Sequence, residues 1–276
     1  MSGSSGPSGR LPRRPRWPGA LLAAHTGVVY LFLYLPIAVL AAFSFNRALQ
    51  TAAWEGFTLA WYGHLLRDER LLQALRNSLL VAALATTLAT AIGTLAALAL
   101  DRRDLPGRQA TRGLLLLPVI LPEVVLGAAL LTFFGAVRLR LSLVTVLIAH
   151  VVFSISYVAV VVRARLAGLD PALAEAARDL GAGAWETLRR VTLPMAAPGI
   201  AAGALLVFTL SIDDYVITSF VAGVGATTLP LHIYSMLKAG VTPEVNAVST
   251  LLLAVTIALI ATAHRLLSRD PGSAAP

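Results

Sequence analysis

The chain has 276 residues, 57% of them hydrophobic and 13% charged, with a formal net charge of +8 and no cysteine; its mean hydropathy is +0.78. A soluble domain could not hide that much apolar surface, so a bilayer is the expected solvent. The lack of cysteine excludes disulfides and thiolate-held metals, and arginines dispersed among short inter-run segments argue against nucleic acid as a partner.

Residues 1–20, beginning "MSGSSGPSGRLPRRPRWPG", read as a disordered basic tail. The apolar run 24–45 follows. A cleaved signal peptide competes for it, but the run exceeds the usual h-region of about 7–15 residues and ends on a poor cleavage site, "VLAAFS", so a retained helix is expected. Further runs cover 77–100, 113–137, 141–162, 198–222 and 247–267, each close to the roughly 20 residues that cross about 30 Å of hydrocarbon at 1.5 Å per residue. "LLVAALATTLATAIGTLAALAL" is continuously apolar, unlike the alternating strands of a barrel. The prediction is an all-α polytopic membrane protein with six transmembrane helices in a domain 21–270, followed by a short tail, 271–276.

The polar segments set the topology. In 46–76, the stretch "WEGFTLAWYGHLLRDERLLQAL" has the aromatic and amphipathic spacing of helix lying at the membrane interface. The connections "DRRDLPGRQATR" and "RLR" are short, so the runs flanking each pack as antiparallel neighbours. With the N-terminus inside, 15 of the 22 Lys and Arg residues fall on the inner side and 7 on the outer. The positive-inside rule then places both termini in the cytoplasm.

One long charged segment, 163–197, interrupts the apolar pattern. Asp170 and Pro171 read as an N-cap and first helical residue. Leu173, Ala176, Ala177 and Leu180 follow on one face, and Gly181 and Gly183 supply a turn able to take positive φ. A second helix is predicted from about Ala184 until Pro194 stops it. Within this hairpin, Glu175-Ala176-Ala177, then Gly181, then "VTLP" with Leu193 and Pro194, closely resembles the EAA signature of ABC importer permeases. The resemblance implies that these six residues couple the membrane domain to a separate ATP-hydrolysing subunit. Independently, the chain has no P-loop: its only lysine, Lys238, follows Leu237.

Three carboxylates fall inside predicted spans: Glu123 in "LPVILPEVVLG", and Asp213 and Asp214 in "FTLSIDDYVITSF". Each costs about 2.5–3.5 kcal/mol at mid-helix on insertion scales, so they are expected to line a path, Glu123 about 15 Å and Asp213 about 22 Å along their helices. No Lys or Arg lies well inside a span, and His150 is the only internal cation candidate in the later helices. A protonated, purely structural carboxyl is the alternative for each acid. A kink between Pro118 and Pro122 would turn Glu123 toward a cavity. Tyr215 and Tyr234 suit either cation–π contact or interfacial anchoring. His25, His64, His232 and His264 are scattered without ligand spacing, so no metal site or cofactor is expected.

Beyond the hairpin, "LSIDDYVITSFVAG", "GATTLPLHIYSMLKAGVTPEVNA" and "FNRALQTAAWEGFTLAWY" resemble blocks of spermidine/putrescine permeases of the PotC and PotI type. This resemblance implies a type I importer permease with a MetI-like core and no enzymatic activity of its own. It implies a second homologous permease subunit, two P-loop ATPase subunits and a periplasmic polyamine-binding protein as partners, besides membrane lipid. Asp213, Asp214, Glu123 and Tyr215 are the expected substrate-path residues. A permease for another cationic or small organic solute shares these features; an ion-coupled secondary transporter leaves the hairpin without a purpose.

Overall fold

The computed structural model describes residues 19–48, 53–101, 106–240 and 242–267; the two expected tails lie outside them, apart from residues 19 and 20. Among the described residues the helices are α1 (Gly19–Phe43), α2 (Ala60–Leu65), α3 (Glu69–Asp101), α4 (Arg108–Ile120), α5 (Glu123–Ala136), α6 (Leu143–Ala167), α7 (Pro171–Asp179), α8 (Ala184–Thr187), α9 (Leu193–Asp213), α10 (Val216–Val221), α11 (Leu229–Ala239) and α12 (Pro243–Leu267). A π turn, Leu188–Thr192, joins α8 to α9. The β-structure described is one isolated antiparallel bridge, Asn46 with Phe57. Two compact units result, Met1–Tyr62 with Thr242–Pro276, and Gly63–Val241.

In the first unit α1 packs on α12. Large apolar residues on α1 such as Phe32 and Leu31 stand exposed, as a helix apolar all round can do only in hydrocarbon or against another chain. The loop after α1 is organised by Asn46, whose side chain is buried. Its Nδ2 donates to Ala53 O at 2.6 Å and its Oδ1 accepts from Glu55 N at 2.9 Å. Trp61 Nε1 donates to Asn46 O at 2.8 Å, and Phe45 stacks on Phe57 at 5.4 Å. The interfacial helix expected here is only partly present: α2 has six residues, and Glu69–Leu75 is continuous with the 33-residue α3.

The second unit is built on α3, α6 and α9, which pack on one another. Small residues let the backbones approach, the usual device where lipid offers helices no hydrophobic drive to associate. A Cβ at Gly93 would come within 2.7 Å of Val158, and one at Gly127 within 2.7 Å of the Phe220 ring. Val158, Val162 and Val207 fill one core with Ala89 and Ala97, while Phe134, Phe153, Val146 and Ile217 fill another.

Two of the six expected spans are broken. The run 113–137 is α4 and α5, bent by 110°. Leu121 precedes Pro122 and is therefore driven out of the helical region, to φ −70° and ψ 136°. The run 198–222 is interrupted at Asp214, which is extended at φ −67° and ψ 120°. Four described helices are long and apolar enough to cross a membrane, five if α4 and α5 count as one, and the Pro243–Val255 part of the 25-residue α12 is apolar too.

Pro194 does not stop the second helix of the hairpin. The preceding turn widens to π geometry, with Leu193 N–H bonded to Leu188 O, five residues back. The widened turn accommodates the proline ring and its missing donor, so α8, the π turn and α9 form one helical stretch, Ala184–Asp213.

Candidate functional site

Glu123, Asp213 and Tyr215 reach the same place because both broken spans break there. Glu123 is the first residue of α5 and Asp213 the last of α9, so neither sits part-way along a continuous helix as its expected depth assumes. Together with Pro118, Tyr157 and Thr209 they line a cavity of about 260 Å³, which also touches Phe153 and Asp214. No Lys or Arg lines it. Asp213 and Glu123 are exposed and have no ion-pair partner among the described residues. The Tyr215 ring lies 4.3 Å, centroid to centroid, from the Tyr234 ring on α11, and Lys238 Nζ stands 5.0 Å from the Tyr234 centroid.

Asp214 behaves differently from its neighbour. Its side chain is buried and caps α10, Oδ2 accepting from Thr218 N at 2.8 Å and Oδ1 from Ile217 N at 3.3 Å. Thr218 Oγ1 donates to Oδ2 at 2.7 Å, and His150 Nε2 lies 3.3 Å away. The internal cation candidate is therefore Asp214's partner, and the view of three acids equally free for a cargo is corrected for this one. An extended Asp followed by a short helix is an N-cap, a signal the pattern "DDYVITSF" carries but an unbroken apolar span conceals.

The hairpin residues sit at the other break in the hydropathy. Asp170 caps α7, accepting from Ala172 N at 2.9 Å. Glu175, Ala176 and Ala177 lie on α7, which buries none of its residues. Gly181 has φ +88°, whereas Gly183, at φ −67°, does not use the positive region. Gly181 N donates to Arg178 O at 2.9 Å and Ala182 N to Ala177 O at 3.0 Å, the paired bonds of a Schellman motif, which needs a left-handed residue at this point. Leu180, 90% exposed, and Trp185, 70% exposed, flank the turn. Leu193 and Pro194 begin α9, and Arg165 Nε reaches across from α6 to Met195 O at 3.1 Å. Its stem packs so closely on Gly199 that a Cβ there would lie 2.5 Å from Arg165 Cβ. The sequence reading did not single out Arg165 or the cavity residues Phe153, Tyr157 and Thr209; none belongs to a local motif.

Comparison with known proteins gives the chain's family. Residues 89–270 match the family described as binding-protein-dependent transport system inner membrane component. The chain is 43% identical over 233 residues to the spermidine/putrescine transport system permease protein PotC of Haemophilus influenzae, covering 84% of this chain and 91% of that protein. It is 42% identical over 231 residues to the putrescine transport system permease protein PotI of Escherichia coli, covering 81% and 82%. Its fold matches a chain of a bacterial ABC transporter that imports the acidic polysaccharide alginate, at a TM-score of 0.74 and 18% identity over 93% of this chain and 96% of that one. A helical membrane chain with this match across two thirds of its length and these relatives belongs to the MetI-like, binding-protein-dependent permeases of ABC importers, and is a transport subunit of the inner membrane.

Proposed function

We propose that this chain forms half of the transmembrane path for a polyamine, putrescine or spermidine. The observation that carries the reading is the cavity in which Asp213 and Glu123 meet aromatic rings with no lining cation. A carboxylate without an internal counter-ion in a low-dielectric setting attracts a cation far more strongly than it would in water. Tyr215 and Tyr157 add faces against which an alkylammonium chain can lie. The names of the two bacterial relatives point to the same class of cargo.

The chain works in this reading with a second homologous permease, two P-loop ATPase subunits and a periplasmic polyamine-binding protein. Its termini and the α7–α8 hairpin face the cytoplasm, where Glu175, Ala176, Ala177, Gly181, Leu193 and Pro194 transmit the ATPase's movement. Leu180 and Trp185 supply the apolar contact, since exposed side chains of that size outside the bilayer are explained by a partner.

Coupling is tested at Gly181. A β-branched side chain at φ +88° costs roughly 1–3 kcal/mol of local strain, confined to an exposed turn where an added Cβ meets nothing within 4 Å. Gly181→Val is expected to leave complex assembly intact and to lower putrescine uptake and putrescine-stimulated ATP hydrolysis together, roughly tenfold. Wild-type values of both, measured in proteoliposomes of the whole complex, contradict the coupling role.

A further inference from the structure

His150 is wholly buried on α6 within the apolar run "LIAHVVF", and both ring nitrogens are used. Its Nδ1 lies 2.7 Å from Ser211 Oγ, in the last turn of α9. Its Nε2 lies 3.0 Å from Thr218 Oγ1, in the first turn of α10, and 3.3 Å from Asp214 Oδ2. Thr218 already gives its hydroxyl proton to Asp214, so Nε2 is the donor toward this pair, and in the neutral ring Nδ1 accepts from Ser211. One imidazole thus bridges the two sides of the break in the span 198–222.

The break decides what the cavity contains. In an unbroken helix residues 213 and 215 would point about 200° apart around the axis and could not share a wall, while 214 would point elsewhere again. With the chain extended at Asp214, Asp213 and Tyr215 both line the cavity, while Asp214, which the cavity also touches, has its carboxylate buried against Thr218 and His150. Asp214 caps α10, α10 is also held to α6 by Thr145 Oγ1 donating to Val221 O at 2.8 Å, and the Ser211 and Thr218 contacts to one rigid ring link the end of α9 to the start of α10.

We propose that His150 is a positioning residue for cargo capture: by tying Ser211 to Thr218 and Asp214 across the break, it holds Asp213 and Tyr215 in the orientation that receives the amine. The inference rests on the cavity being the cargo site. Its consequence is selective: loosening the bridge weakens engagement of the substrate without touching the subunit's coupling hairpin.

The test is uptake of labelled putrescine by the whole complex in proteoliposomes, normalised to assembled complex, with KM and Vmax separated. His150→Ala is expected to raise KM about tenfold, the equivalent of one misplaced charge-assisted contact, with Vmax within about twofold of wild type. Ser211→Ala removes one arm of the bridge without opening a ring-sized hole and is expected to raise KM about threefold. Adding Asp213→Asn to His150→Ala should raise KM by less than it does in the wild-type background, because the two act through one contact. If His150→Ala fails to assemble, Ser211→Ala decides. Unchanged KM in every assembled bridge variant, alongside a raised KM in Asp213→Asn, overturns the positioning role and leaves the cavity reading standing. Unchanged KM in Asp213→Asn overturns the cavity reading and the positioning role with it.

Discussion

Asp213→Asn lowers uptake of labelled putrescine at subsaturating concentration by about tenfold to a hundredfold, the range expected when a hydrogen bond to a charged group worth about 1.5–3 kcal/mol is lost. The substitution is nearly isosteric and removes only the charge. Asp213 is exposed to the cavity, at the end of α9, and holds no structural partner among the described residues, so the fold loses nothing with its charge. Yield and thermal stability of the assembled complex should therefore match wild type. Glu123→Gln acts in the same direction, since Glu123 shares the cavity. Uptake equal to wild type in the Asp213→Asn, Glu123→Gln double variant would show that these acids do not guide a cation.

Asp214→Ala gives the opposite pattern, a loss of stability before any specific loss of transport. Removing the carboxylate deletes the cap of α10, worth roughly 0.5–2 kcal/mol. It also takes the acceptor from Thr218 N–H and Thr218 Oγ1, while His150 Nε2 keeps only Thr218 Oγ1. The Thr218 hydroxyl left without its acceptor adds about 1–3 kcal/mol to the lost cap, so a total of roughly 1.5–5 kcal/mol is expected. Thermal unfolding of the detergent-solubilised complex measures it. Asp214→Asn, which keeps a carbonyl oxygen for Thr218 N–H, should fall between Asp214→Ala and wild type. Equal melting temperatures for Asp213→Asn and Asp214→Ala would contradict the division of labour between these adjacent acids.

That division shows where sequence reading reaches and where it stops. Uninterrupted apolar runs such as those of α1, α3 and α6 declare themselves, because length and composition alone decide whether a helix can cross hydrocarbon. The Gly181 turn was equally legible: a Schellman motif is a local arrangement, and glycine after an amphipathic turn signals it. Pro194 misled, because its effect depends on whether the preceding turn can widen, and Leu188–Thr192 does so. The bend near Pro122 was legible from the two prolines, and Glu123 does reach a cavity there; the break at Asp214 was hidden inside a run of correct total hydropathy. His150 and Thr218 are 68 residues apart, and only packing of α6 on α10 brings them together, so Asp213 and Asp214 look interchangeable until the fold exists.

The central claim is that a cationic amine passes along this acid-lined path in an ATP-driven complex. Its most direct test is accumulation of labelled putrescine in proteoliposomes carrying the whole complex and its binding protein, with ATP or a non-hydrolysable analogue on the nucleotide-binding side. The account predicts accumulation with ATP alone, suppressed by excess unlabelled spermidine and unaffected by an anionic solute such as glutamate. Accumulation with the analogue, or competition by the anion as strong as by spermidine, would contradict it.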